Sequence, residues 1–354
     1  MSGHAPDPQK LEAFMHKMVG DMGAIMSGAL ILLGDHLGIF KSMAEIGKPV
    51  TSGELAAKTG LSERYLREWL AAMAAGGYVG CDPKNGRFWL DPEQAAVLSD
   101  DMLPTYMAGG LEVAASAYID EPKIANAFRT GKGVGWHEHH ACLFRGTERF
   151  FRPGYRANLI GTWLPSLTGV TDMLKKGAKV GDVGCGHGAS TIIMAEAFPN
   201  SQFVGFDYHD ASIRRARELA AEAGLKNATF EVAKAQDFKG DGFDLIACFD
   251  CLHDMGDPVG AARRIKSALK PGGKLMLVEP FANDELADNL NPIGRLFYAA
   301  STMICTPASL SQEVGLGLGA QAGQKRLTEV LKEGGFSNVR RATETPFNLI
   351  LEAT

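Results

Sequence analysis

The chain has 354 residues, enough for two domains and at least one large core. It is 45% hydrophobic and 22% charged, with a net charge of -5. This composition excludes a disordered chain, and the charge excludes a protein that attracts nucleic acid by bulk charge.

The N-terminus lacks the basic-then-apolar order of a secretory leader. The apolar stretch GAIMSGALILLG, residues 23–34, is too short to span a bilayer and reads as a buried helix. Six scattered cysteines suit free thiols in a reducing cytoplasm, so a cytoplasmic protein without a membrane partner is expected. Residues 11–43 read as helical, with Met15, Met18, Met22 and Met26 on one face. Such a stripe is core or a contact for a partner helix.

TSGELAAKTG opens with a Thr/Ser cap followed by Glu54, a helix start. SERYLREWLAAMAAGG repeats the signal: Ser62 caps, Tyr65, Leu66, Trp69, Leu70 and Met73 form an apolar face, and Gly76-Gly77 ends the helix. YVGCDPKNGRFWL then reads as two short strands about an Asn85-Gly86 turn. Two helices followed by a hairpin make a winged-helix pattern. Residues 41–100 carry seven basic and eight acidic side chains. A DNA-binding module needs a basic face for phosphates, so a dimerisation role is favoured over nucleic-acid binding.

A mostly helical bridge occupies 101–165. From about 178 the chain alternates strand and helix, beginning with AKVGDVGC, STIIMAEAFP and SQFVGFD and closing on FNLILEA. That alternation predicts an α/β, Rossmann-like doubly wound sheet. GDVGCGHGAS lies where its first strand meets its first helix. Gly184, Gly186 and Gly188 permit a sharp turn and close ligand approach, and Asp207 ends the next strand, where a carboxylate can accept both ribose hydroxyls. The glycines alone also fit a dinucleotide binder, with Ala189 as the last small residue.

Taken in order, VGDVGCGHG after the first strand, GFDYH after the second, FDCLHDMGDP after the fourth and LKPGGKLMLVEP into the fifth resemble the class I S-adenosylmethionine-dependent methyltransferases, over roughly residues 178–354. With the winged helix, the whole chain is similar to dimeric small-molecule O-methyltransferases. WHEHH, GTERFFRPGY and CTPASLSQEVGLGLGAQAG carry a closer resemblance to a mycobacterial-type winged-helix methyltransferase family. The resemblance implies a dimerisation domain at 1–100, a bridge at 101–165 lining the substrate pocket, and a cofactor-binding domain at 166–354 with an antiparallel last strand and a lid insertion at 281–323. It implies S-adenosylmethionine as cofactor, S-adenosylhomocysteine as product, a small-molecule acceptor and a homodimer. Asp182, Gly184, Cys185, Gly186 and Gly188 would hold the methionine part, Asp207 the ribose, and Tyr208, Gln236, Asp237 and Phe238 the adenine; Phe249 and Tyr155 complete that pocket. Lys234 stands where many relatives carry an acid, which leaves Gln236 or Asp237 for the adenine amine.

The same resemblance makes His253 a general base, with Asp254 and Asp257 in its motif. A sulfonium methyl is already electrophilic, so the protein has to align the acceptor and remove its proton, which suits an imidazole. The other reading of His253 is a residue that shapes the pocket or orients the acceptor. That reading fits S-methylation, since a thioether has no proton to lose and a thiol ionises more easily than an alcohol. Cys248 and Cys251 form a Cys-x-x-Cys at a strand end, which reads as buried small residues, neither a redox pair nor a zinc site.

His137, Glu138, His139, His140 and Cys142 crowd the bridge. Their spacing matches no standard closed metal site and methyl transfer requires none, so no metal is expected. His137 and Glu138 read as a polar pocket wall, the alternative being a solvated loop. In the lid, Arg295 and Tyr298, with Asn289 and Thr302, are candidates for acceptor binding; Arg295 suits a carboxylate. Two other functions fit parts of the chain: a cofactor-sensing DNA-binding regulator and a nicotinamide-dependent oxidoreductase.

Overall fold

The computed structural model describes residues 5–354, and its packing divides the chain into two units. One holds the chain up to Ala115 together with Arg145–Pro153; the other holds Ser116–Phe144 and Gly154–Thr354. The bridge residues are shared between the two.

The first unit begins with α1 (Pro8–His36), capped by Asp7, whose carboxylate accepts from the Gln9 and Lys10 N–H groups. The helix expected over 11–43 is broken after Leu37, where Gly38 takes a left-handed φ of 66° before α2 (Ile39–Ile46) begins. Met15, Met18, Met22 and Met26 are all exposed. The reading of a short, buried apolar helix is therefore corrected. The apolar run is the later part of a 29-residue helix, whose most apolar 18-residue window has a mean hydropathy of 1.4 and is only 11% buried. By length and composition α1 is sufficient to cross a membrane, and a partner chain would cover it equally.

Next, α3 (Ser52–Thr59) starts with a reciprocal cap between Thr51 and Glu54. Then α4 (Glu63–Ala75) buries Leu66, Trp69, Leu70 and Met73. Tyr65, expected on that face, is 81% exposed, because it lies about a quarter turn from the centre of the buried stripe. Ser62 occupies the N-cap position without a side-chain cap bond. Antiparallel β1 (Gly80–Asp82) and β2 (Arg87–Trp89) form the wing, followed by α5 (Pro92–Leu98). On α4, Arg64 pairs with Glu68 and Arg67 with Glu63, which neutralises both arginines of the helix that would otherwise meet DNA.

Two long helices, α6 (Gly109–Thr130) and α7 (Ala141–Asn158), contribute residues to both units. Within the first unit, the Arg149 guanidinium donates to Asp35 at 2.8 Å, to buried Glu112 at 2.7 Å and to the Tyr106 hydroxyl. Arg149→Met takes its cation from Asp35, which keeps the Tyr106 hydroxyl, and from buried Glu112, which keeps Arg145. Chemical denaturation should show a loss of about 1.5–3 kcal/mol, the usual worth of hydrogen bonds to charged groups.

In the second unit a π-helical turn (Leu159–Trp163), α8 (Leu164–Ser166) and α9 (Val170–Lys176) lead into the sheet. Its strands are β3 (Lys179–Val183), β4 (Gln202–Asp207), β5 (Ala228–Val232), β6 (Phe243–Phe249), β7 (Leu269–Pro280), β8 (Val339–Glu344) and β9 (Asn348–Ala353). Their order is β5-β4-β3-β6-β7-β9-β8, with β9 antiparallel to both neighbours and the other pairs parallel. Strand β8 has no apolar run to announce it, since VRRATE lies at the sheet edge and stays half-exposed. The connecting helices include α10 (Ala189–Ala197), α11 (Asp210–Glu222) and α12 (Pro258–Ala268). The lid carries α13 (Pro292–Ala300), a π-helical turn (Ser301–Cys305) and α14 (Thr306–Leu310), and α15 (Gly323–Glu333) follows. The chain runs outward from β3 through β4 to β5 and returns to β6 on the other side of β3. The crevice at the C-terminal ends of β3 and β6 is thus the switch point where such sheets bind ligands.

Candidate active site

Beyond β3 the chain turns through Gly184, Gly186 and Gly188, all at positive φ. At Gly188 a Cβ would lie 2.6 Å from the Phe230 ring, so only glycine fits there. Asp207, at the end of β4, locks the loop: its carboxylate accepts from Gly186 N–H at 3.0 Å and from His209 N–H at 2.8 Å. Asp182 is buried, and burial raises its carboxyl to about 6. One of its oxygens accepts from the Ser190 and Thr191 hydroxyls, both at 2.6 Å. The other is buried without a hydrogen-bond partner among the described residues. An orphan carboxylate oxygen beside a glycine turn fits a ligand that brings an ammonium or N–H donor.

The remaining residues expected around the cofactor divide. Gln236 is half-buried and donates to the Asp257 carbonyl, whereas Asp237 is exposed. Phe238 belongs to the core, its ring centroid 4.8 Å from that of Phe206. The Cys185 side chain is likewise in the core, against Ile213, Ala216 and Phe230. Both side chains lie on the apolar side of the sheet, and the backbone of Cys185 belongs to the loop. Tyr208 is partly exposed. Phe249 packs on Tyr155, whose hydroxyl donates to Asp250 at 2.7 Å. Asn348 donates to the other Asp250 oxygen at 2.8 Å. Asp250, at a φ of 50°, has its carboxyl pushed by burial up to about 8.

His253 sits in a short 3₁₀ turn, Leu252–Asp254, just beyond β6. It is buried, and its Nδ1 donates to a Glu279 oxygen. The second Glu279 oxygen accepts from Leu252 N–H at 2.9 Å. Nε2 lies 3.1 Å from Asp254 Oδ1. Burial by itself would depress the imidazole pKa, but Asp254 and Glu279 outweigh it and hold the group well above its ordinary value. The sequence reading left open which carboxylate orients the ring; it is Glu279, and its signal is a lone carboxylate inside the apolar strand KLMLVEP. One ligand atom each of His253, Asp254 and Cys305 lies within 4.8 Å of the others, a spacing that a divalent cation could use. Burial pushes the Cys305 thiol up to about 12. Cys248 and Cys251 are free thiols, and Cys251 donates to the Val183 carbonyl at 3.2 Å.

Residues 174–335 match the family described as methyltransferase domain, and residues 25–100 match the Rv2258c-like winged HTH domain. The chain carries a methyltransferase domain behind a winged helix. Ubiquinone biosynthesis O-methyltransferase from Idiomarina loihiensis is 35% identical over 101 residues, 28% of this chain and 41% of that protein. Chloroplastic tocopherol O-methyltransferase from Arabidopsis thaliana is 35% identical over 186 residues, 48% of this chain and 53% of that protein. The chain thus spans about half or less of these curated relatives. Human N-acetylserotonin methyltransferase, solved in complex with SAM, has a TM-score of 0.67 at 17% identity, covering 100% of this chain and 99% of that one. That likeness is one of fold over the full length.

The candidate side chains of the bridge and lid differ in burial. His137 and Glu138 are exposed, and the Glu138 carboxylate closes its own turn by accepting from Gly135 N–H at 2.6 Å. It is the neighbour, His139, that is buried. Trp136, Phe144 and His209 form a run of ring contacts with centroids 5.4 and 5.0 Å apart. Asn289 is buried, with its amide committed to the Asn283 and Glu285 backbone, so it fastens the lid. Arg295 and Thr302 are exposed, and the Thr302 hydroxyl donates to the Tyr298 carbonyl. Tyr298 is half-buried.

Proposed function

We propose that this chain transfers a methyl group from S-adenosylmethionine to a hydroxyl of a small molecule, with His253 as general base. The observation that carries the reading is the buried Glu279–His253 pair beside the glycine crevice at the sheet switch point. S-adenosylmethionine, when bound, supplies an electrophilic methyl on a sulfonium. Asp182, through its orphan oxygen, the loop Gly184–Gly188 and Asp207 would hold it. Glu279 keeps the His253 proton on Nδ1, which presents Nε2 to an acceptor hydroxyl. His253 holds its second proton less tightly once a positive charge enters the site, which prepares Nε2 to accept. Asp254 then stabilises the imidazolium that forms.

Two features support a homodimer. The Met15, Met18, Met22 and Met26 face of α1 is exposed, and the first unit carries the winged helix. The paired arginines of α4 count against DNA.

The test is label transfer from methyl-labelled S-adenosylmethionine to a fractionated host extract. Label should enter a small-molecule fraction, and dialysis against a chelator should leave the rate unchanged. A rate lost on chelation and restored by zinc would assign His253, Asp254 and Cys305 to a metal instead. Label appearing only in a thiol or thioether fraction would give His253 an orienting role in S-methylation.

A further inference from the structure

The proposed reaction leaves one buried imidazole unused. His139, in the turn before α7, is buried together with its partner Asp120. Its Nδ1 lies 3.1 Å from Asp120 Oδ2, and a carboxylate can only accept, so the proton is on Nδ1. Asp120 is itself held in place, accepting from the Lys123 ammonium at 2.7 Å and the His140 N–H at 2.8 Å. The other ring nitrogen, Nε2, is buried and has no hydrogen-bond partner among the described residues. Buried polar atoms are nearly always paired, so a bare lone pair on an imidazole fixed from behind asks for a donor from outside the chain.

Hydrogen bonds tie the segment that carries His139 to the His253 turn by way of α14. The segment leading into the turn lies along α14, with Val134 N–H donating to the Pro307 carbonyl at 3.0 Å. Helix α14 in turn grips the His253 turn: the Ser309 hydroxyl donates to the Met255 carbonyl at 2.8 Å, and Gln312 donates to the Asp254 carbonyl at 2.9 Å. The Asp254 carboxylate is close enough to act electrostatically on the His139 ring. Burial nevertheless dominates, so His139 binds a proton less readily than an ordinary histidine and is neutral where His253 is charged.

We propose that the Asp120–His139 pair is a second acceptor-binding element, whose Nε2 accepts a hydrogen bond from a hydroxyl or N–H of the methyl acceptor. The acceptor then carries two polar hydrogens, one on the group that His253 deprotonates and one that His139 fixes, as in a diol or an amino alcohol. This rests on the methyl-transfer reading for the acceptor's identity but not for the state of the imidazole.

Three measurements on the full-length chain test it. Long-range nitrogen-15 NMR of histidine-labelled protein at neutral pH should show His139 with a protonated Nδ1 and a bare Nε2. His139→Phe, which keeps a ring and removes the nitrogen, should leave Tm unchanged or raise it and leave S-adenosylhomocysteine affinity unchanged. The same variant should need roughly tenfold more host extract for half-maximal label transfer. His139→Gln, which retains a polar group, should recover part of that loss. A fall in Tm with unaltered half-saturation would assign His139 a purely structural role and overturn the proposal. So would a protonated Nε2 in the free protein. If the wild type transfers no label at all, methyl transfer fails as a reading. The methyl-acceptor role of His139 fails with it, whereas label transfer by the wild type with unaltered half-saturation in His139→Phe overturns that role alone.

Discussion

Replacing His253 with alanine should lower the maximal rate of label transfer by about 10²–10⁴-fold, the usual contribution of a positioned base, while S-adenosylhomocysteine binds as in the wild type. The loss belongs in the rate because the imidazole acts as the acceptor oxygen becomes nucleophilic. Glu279 makes the prediction sharper. Asp254 and Glu279 hold the His253 pKa above its ordinary value despite burial, so the activity of the free enzyme should rise along a limb that lies above about pH 6.5. Glu279→Gln removes a charge that raises this pKa, so the limb should move to lower pH. The plateau should also fall, because an amide fixes the tautomer less firmly. A pH–rate profile of wild type and Glu279→Gln decides the matter: coincident limbs would remove His253 from proton transfer. Stability carries the same linkage. A raised histidine pKa contributes stability that is fully present below about pH 6.5, the unfolded value, and is lost as pH rises through the folded pKa. The stability gap between wild type and His253→Ala should therefore narrow as pH rises through that folded pKa.

The second large effect is expected at Asp207. Its carboxylate accepts from Gly186 and His209 N–H groups and stands at the end of β4, where two ribose hydroxyls would meet it. Asp207→Ala should weaken S-adenosylhomocysteine binding by roughly 10²-fold or more, since hydrogen bonds to charged groups are the strong ones and the loop loses its anchor as well. Asp207→Asn keeps one acceptor oxygen for the loop and so separates the two contributions, with intermediate binding and a near-normal Tm. Glu218→Ala, at an exposed helix position whose carboxylate meets Arg215, is the control and should bind as the wild type does. Calorimetric titration reads all three. Full affinity in Asp207→Ala would move the ribose site elsewhere.

Much of the fold was legible because its signals are local. The Thr51–Glu54 cap, the Asn-Gly wing turn and the strand–helix rhythm after 178 each depend on residues a few positions apart. The edge strand β8 was not legible, since an edge needs no apolar run. Helix α1 was misread for a related reason. Periodicity shows that Met15 to Met26 share a face, but not whether this chain supplies anything to cover it.

The sequence by itself determined the order of the motifs: the glycine turn after the first strand, the acid after the second, the histidine after the fourth. That order is set by local chemistry and by the chirality of strand–helix–strand connections. Only the tertiary structure decided the partners. Glu279 is 26 residues from His253, and Asp120 is 19 from His139. Each pair meets because the chain doubles back, β7 pairing beside β6 and α6 leading round to the turn that holds His139. Burial then separated the candidate side chains. It placed Phe238 and Cys185 in the core, left His137 and Glu138 exposed, and enclosed His139. Spacing along a chain does not encode depth below a surface; depth follows from which faces the packed layers press together.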